Sequence, residues 1–145
     1  MASNQKIPWD DKYKIGIENI DIQHKKLFDL VNDLYDLDTS EDNKEEIRVI
    51  LYRFSDYMQT HFQDEEKYML SIGYPQLDKH KKIHKGIIDA LSLIIHTPAK
   101  LSIIQTKMRV VAKRYLVDHI IREDSKIKKF QLTQEADEEF DLIDL

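Results

Sequence analysis

Apolar side chains recur every three or four residues along four stretches of the chain, the spacing of one helix face. The stretches run from about Ile20 to Leu37, Asn43 to Leu70, Gln76 to His96 and Pro98 to Phe130. Their ends carry helix signals. Asp42-Asn43-Lys44-Glu45 reads as a capping box. Gly73 and Pro75 form a stop between the second and third stretches. Thr97-Pro98 reads as an N-cap followed by proline at the first helical position. The connections are short, so neighbours are expected to be antiparallel, giving an all-α, up-down-up-down four-helix bundle. Residues 1–19, with Trp9, Tyr13, Ile15 and Ile17, read as an extended N-terminal arm laid over it. Residues 131–145 carry six acidic side chains and no basic one, and read as a solvated tail outside the single domain of residues 1–130. Phe140, Leu142, Ile143 and Leu145 are its apolar positions for docking.

The stripes also contain polar residues. The first is Ile20, His24, Leu27, Val31, Leu34; the second is Ile47, Ile50, Phe54, Met58, His61, Glu65 and Tyr68 or Met69. The third is Leu77, His80, His84, Ile87, Leu91, Ile94; the fourth is Leu101, Ile104, Met108, Val111, Tyr115, His119. Each helix points one or two histidines at the bundle axis, and Glu65 points there too, whereas Asp64 and Glu66 are expected to face away. One such histidine is ordinarily a hydrogen-bonded core residue. Five with a carboxylate are another matter, because each uncompensated polar group costs about 1–3 kcal/mol to bury. A metal supplies that compensation. The sixth histidine, His96, falls at a helix end and reads as a surface residue.

Composition narrows the chemistry. Without cysteine there is no disulfide, thiolate site or thiol nucleophile among the 145 residues. A formal net charge of −5 disfavours nucleic acid as a partner. No apolar run approaches the roughly 20 residues of a membrane span, and Met1 to Trp9 lacks a signal peptide's apolar stretch. A cytoplasmic, soluble protein is expected.

Spacing then sorts the ligands. His61 and Glu65 are four apart, as are His80 and His84, so each pair shares a helix face. His119 and Asp124 are five apart, which a regular helix would splay by roughly 140°. The apolar stripe slips by one residue there, to Ile120 and Ile127, so a wide π-type turn is expected. Five imidazoles and two carboxylates exceed what one four-coordinate zinc uses, and calcium or magnesium would want mostly oxygen. Two six-coordinate metals bridged by both carboxylates use all seven, and imidazole-rich coordination fits iron.

These residues carry a resemblance. Trp9, Gly16-Ile17, Asp21-Ile22-Gln23-His24-Lys25-Lys26-Leu27-Phe28 and His61-Phe62-Gln63-Asp64-Glu65-Glu66-Lys67-Tyr68-Met69 resemble the bacterial hemerythrins. So do Gly73-Tyr74-Pro75, His80 to His84, and Leu116-Val117-Asp118-His119-Ile120 with Asp124. The resemblance implies two iron ions, Fe2+ or Fe3+, with an oxo or hydroxo bridge. His80, His84 and His119 would fill the sites of one, His24 and His61 would bind the other with one position open, and Glu65 and Asp124 would bridge. It further implies dioxygen as the ligand, in a dry pocket walled by Leu27, Phe62, Tyr115, Leu116 and Ile120. Tyr115 stands where the family typically carries tryptophan, and is read as packing between helices.

The function expected on this basis is reversible dioxygen binding for storage or delivery, with no enzymatic role. The alternatives are a sensor of oxygen, nitric oxide or redox state, signalling to a protein partner through the acidic tail, and a di-iron enzyme acting on peroxide or nitric oxide. No additional catalytic acid, base or nucleophile stands beside the ligand set, which ranks the enzyme last.

Overall fold

The computed structural model describes residues 6–143, except the side chains of Tyr115 and residues 137–143. Secondary structure among them is helical throughout. Helices α1 (Glu18–Asn32), α2 (Lys44–Ser71) and α3 (Leu77–His96) are followed by α4 (Leu101–Val111), wide π turns at Ala112–Val117 and Ile120–Asp124, and α5 (Ser125–Ile143). Successive helices pack side by side, and the first wide turn closes the ring onto α1. The result is the antiparallel four-helix bundle that the four stripes imply. No described helix is long and apolar enough to cross a membrane.

The N-terminal arm is anchored at two points. Asn32 exchanges a pair of 2.8 Å hydrogen bonds with the backbone of Ile7. Asp21 accepts from the backbone of Ile15 and Gly16, at 2.8 and 3.1 Å. Gly16 adopts φ +82, a conformation that glycine enters without strain. Between these ties Trp9, Tyr13 and Phe28 pack ring against ring, so the arm braces the start of α1, where His24 sits. At the other end of the bundle, Gln105 donates to the Leu34 carbonyl at 2.9 Å while Tyr35 donates to the Gln105 carbonyl at 2.8 Å, which joins the tight turn Asp33–Asp36 after α1 to α4.

Several boundaries differ from the sequence pattern. Thr97 and Pro98 lie in the connection, Thr97 being extended, and α4 begins only at Leu101 behind Lys100. The capping box is not formed: Asn43 occupies the cap position without a side-chain cap bond, and its amide donates to the Asp38 carbonyl instead. The 131–145 segment is no unstructured tail as far as Ile143, because α5 runs through it, with residues 132–136 exposed. Gln131, Gln134, Glu135 and Ala136 are good helix formers, so the stretch is helical although residues 132–136 are exposed. Docking by Phe140, Leu142, Ile143 and Leu145 falls outside the described side chains. In α2 the core side is taken by Leu51, with Ile50 only half buried.

Candidate metal centre

The stripes converge at one end of the bundle, where α1 and α3 begin and α2 ends. His24, His61, Glu65, His80, His84, His119 and Asp124 are all buried there. Asp124 reaches the cluster because the turn before it is wide: the Ser125 N–H reaches back five residues to the Ile120 carbonyl. Bonds of that span bring residues five apart close to one face, so the feature inferred from the His119–Asp124 spacing is present. The earlier wide turn, Ala112–Val117, was not signalled by any ligand spacing. It shifts the register so that Ala112 and Leu116 are buried ahead of His119. Tyr115, expected in that stripe, lies outside the described side chains.

The two carboxylates divide their oxygens between two groups of imidazoles. Glu65 Oε1 lies 2.8 Å from His80 Nε2 and 3.1 Å from His84 Nε2. Asp124 Oδ1 lies 2.9 Å from His80 Nε2 and 3.1 Å from His119 Nε2. The other oxygens face the second group: Glu65 Oε2 is 3.2 Å from His61 Nε2, and Asp124 Oδ2 is 3.1 Å from His24 Nε2. A spacing of about 3 Å is the edge of an octahedron whose bonds are about 2.1 Å long. Within each group, the donor atoms lie inside 4.8 Å of one another, enough to surround one ion. Glu65 and Asp124 belong to both groups.

A test of fit comes from the atoms left over. His24 Nε2, His119 Nε2, Glu65 Oε2 and Asp124 Oδ1 are buried without an aligned hydrogen-bond partner, although each has neighbours near 3 Å. Buried polar atoms that crowd together without aligned hydrogen bonds fit lone pairs aimed at a common cation. The donor set fits two metal ions.

The fold comparison agrees. A crystal structure of a leucine-to-alanine mutant of hemerythrin superposes with TM-score 0.74 at 26% identity, covering 86% of this chain and 95% of that one. The hemerythrin HHE cation binding domain model matches residues 15–130. The chain belongs to the hemerythrin family. The bacteriohemerythrin of Campylobacter jejuni subsp. jejuni serotype O:23/36 (strain 81-176) is 34% identical over 133 residues, 90% of this chain and 95% of that protein. The myohemerythrin of Theromyzon tessulatum is 34% identical over 120 residues, 83% of this chain and 89% of that one. As a hemerythrin, the protein is a di-iron, oxygen-binding protein whose cofactor is a pair of iron ions.

Leu27, Phe62, Leu116 and Ile120, the described residues expected to wall a pocket, are buried. Phe62 also stacks flat on His84, with ring centroids 3.7 Å apart and planes 5° from parallel. Sequence spacing misplaced one residue and passed over another. Glu66 does not face away: its Oε2 accepts from His84 Nδ1 at 2.9 Å. Gln23, next to His24, reaches His61 Nδ1 at 2.7 Å.

Without a cation to share, protons hold this hemerythrin's cluster together. Burial opposes a charged imidazole at His24 and His80, but the carboxylates of Asp124 and Glu65 outweigh it and lift both to about 9. Burial holds His61 below its ordinary value, against the pull of Glu65. Burial likewise opposes charge on Glu65, and the four histidines around it reverse the balance, keeping it ionised well below the usual carboxylate range. The pH dependence follows. A raised folded pKa contributes stability that is complete below the unfolded value of about 6.5 and is lost as pH rises through 9. The metal-free protein should therefore lose thermal stability relative to the iron-loaded protein between those limits, and metal uptake in that window should release protons. Scanning calorimetry of both forms at several pH values checks this; a constant difference in Tm across the window would show that His24 and His80 do not carry these protons.

Proposed function

We propose that this hemerythrin takes up dioxygen reversibly, for storage or delivery. The observation that supports the reading most is the unequal division of donors. One group has His80, His84 and His119 with the two shared carboxylates, and the other has only His24 and His61 with them. On the proposed ligand set, the second ion is one protein donor short, and a small molecule can enter there. Two ferrous ions would supply the electrons that dioxygen takes up on binding and returns on leaving.

The chain's own residues do the rest. Glu65 and Asp124, held ionised, would supply a charge of −2 to the pair of ions, offsetting half of the charge of two ferrous ions within a buried site. Among the described side chains, Leu27, Leu116 and Ile120 present hydrocarbon rather than an acid that could protonate the bound ligand and expel it in reduced form. The buried Tyr35 hydroxyl is committed to the Gln105 carbonyl, and burial pushes its pKa up to about 12. A carrier needs a dry pocket, whereas an enzyme acting on peroxide would need a proton donor.

The test is repeated oxygenation of iron-loaded protein followed by deoxygenation under argon. A carrier returns to the diferrous form through many cycles; conversion to diferric protein within one or two cycles, with reduced oxygen species released, would assign the chain to the enzymes. A sensor is the second reading, prompted by the continuation of α5 to Ile143, past the family match that ends at 130. Under that reading oxygenation should alter the helical content contributed by residues 131–145. Identical circular dichroism with and without oxygen, in full-length and truncated protein alike, would exclude it.

A further inference from the structure

We propose that Gln23 and Glu66 are positioning residues that preset the tautomers of His61 and His84 and give the two irons unequal donors. The inference rests on the proposed ligand set, not on the reversibility of oxygen binding. Its logic starts from groups that can only accept. Asp64 is a carboxylate, and Gln23 Nε2 donates to its Oδ2 at 2.8 Å. The Gln23 amide is thereby oriented with Oε1 toward His61, 2.7 Å from Nδ1. An amide oxygen accepts only, so His61 must carry its proton on Nδ1. Its Nε2 lone pair then points into the cluster, toward Glu65 Oε2 at 3.2 Å.

On the other side of the cluster the partner is a carboxylate. Glu66 Oε2 lies 2.9 Å from His84 Nδ1, so that nitrogen carries the proton and Nε2 faces Glu65 Oε1 at 3.1 Å. Glu66 is a quarter exposed, at 25% for its side chain, and its charge bears directly on an imidazole that is only 3% exposed. A carboxylate behind an imidazole makes it a stronger metal donor than an amide does. His84 belongs to the three-histidine group and is backed by a full charge. His61 belongs to the two-histidine group and is backed by a neutral amide, with the charge of Asp64 one hydrogen bond further out. The better-coordinated ion thus also has the stronger donor, and the ion proposed to be open keeps the weaker one. By contrast, Nδ1 of His24 and of His119 is buried without a partner among the described residues, which give those rings no such orienting bond.

The experiment uses full-length, iron-loaded protein as wild type, Gln23→Leu, Gln23→Glu and Glu66→Gln, each first assayed for iron. The rate of iron loss to a bipyridine-type ferrous chelator is measured, and then the balance of diferric and diferrous protein at a fixed redox poise. Outer ligands of this kind are worth about 10–100-fold in metal affinity. Gln23→Leu should lose iron at least about tenfold faster, while Gln23→Glu, which still accepts from Nδ1, should restore near-wild-type retention. Glu66→Gln should shift the balance toward diferrous protein by about tenfold, and Gln23→Glu should shift it toward diferric. Opposite shifts from opposite charge changes are something a packing role would not produce. Two irons per chain in every protein, with unchanged loss rates and an unchanged balance, overturns this inference alone. Fewer than two irons in wild type overturns the ligand set and the inference with it.

Discussion

Glu65→Ala is expected to empty both metal positions together, leaving well under one iron per chain, while His96→Ala keeps two. Glu65 is 0% exposed and meets four histidine nitrogens within 3.6 Å, two on each side. Among the described residues it is the only side chain besides Asp124 that both groups share, so on the proposed ligand set its loss removes a donor from each ion at once. The damage extends to the metal-free protein. Removing one partner from a buried charged cluster typically costs about 3–5 kcal/mol, because the partners left behind stay desolvated. Here the stranded groups are His24 and His80, which depend on the two carboxylates for their protons. His96 makes a useful control because it lies at the end of α3 and bonds only within its own turn, at Ser92. Metal analysis with denaturant melts of the metal-free variants checks both parts. One tightly held iron remaining in Glu65→Ala would mean that the carboxylate serves a single ion.

The second large effect concerns water. Leu116→Ala should still fold and hold two irons, since no donor is touched, but its oxygenated form should decay to diferric protein markedly faster than wild type. An acceleration of about tenfold corresponds to only about 1.4 kcal/mol of barrier, a modest demand on a side chain that is 3% exposed. Leu116 lies three residues before His119, on nearly the same helix face and one turn nearer the N-terminus. Truncating it opens a gap beside a polar centre, where water is stabilised rather than excluded. The lost packing should cost about 2–4 kcal/mol of stability. Leu91→Ala separates the two consequences. That residue is equally buried, in the later half of α3 away from the cluster, and should cost stability without hastening decay. Equal decay rates in Leu116→Ala and wild type would mean that Leu116 only packs.

How much of this was legible in the sequence depended on whether a residue broke an expectation. Histidines in an apolar stripe break one, so all seven clustered residues stood out, and the unusual five-residue step from His119 to Asp124 pointed to the wide turn that the structure contains. Gln23 and Glu66 broke none. Both sit on helix flanks where a polar side chain is the default, and only the three-dimensional meeting of α1 with α2, and of α2 with α3, gives them partners. The wide turn at Ala112–Val117 was illegible for a similar reason: its residues supply no ligand pair whose spacing would look wrong. Local end signals failed where tertiary contacts offered something better. Asn43 bonds the Asp38 carbonyl rather than capping α2, and Thr97-Pro98 spans the gap between α3 and α4 instead of starting a helix. The charge pattern of residues 131–145 reads as a solvated tail, and α5 continues through it as far as Ile143. Solvation and helix are compatible when the residues are good helix formers.

The most direct test of the account is an oxygen titration of anaerobic, diferrous protein, following dissolved oxygen and visible absorbance together. The proposed arrangement, two irons sharing Glu65 and Asp124 with a single open position, predicts uptake of one dioxygen per chain. A charge-transfer band should rise in proportion to uptake and vanish when the gas is removed, with all the oxygen recovered. Uptake that cannot be reversed, or a ratio other than one dioxygen to two irons, would contradict it.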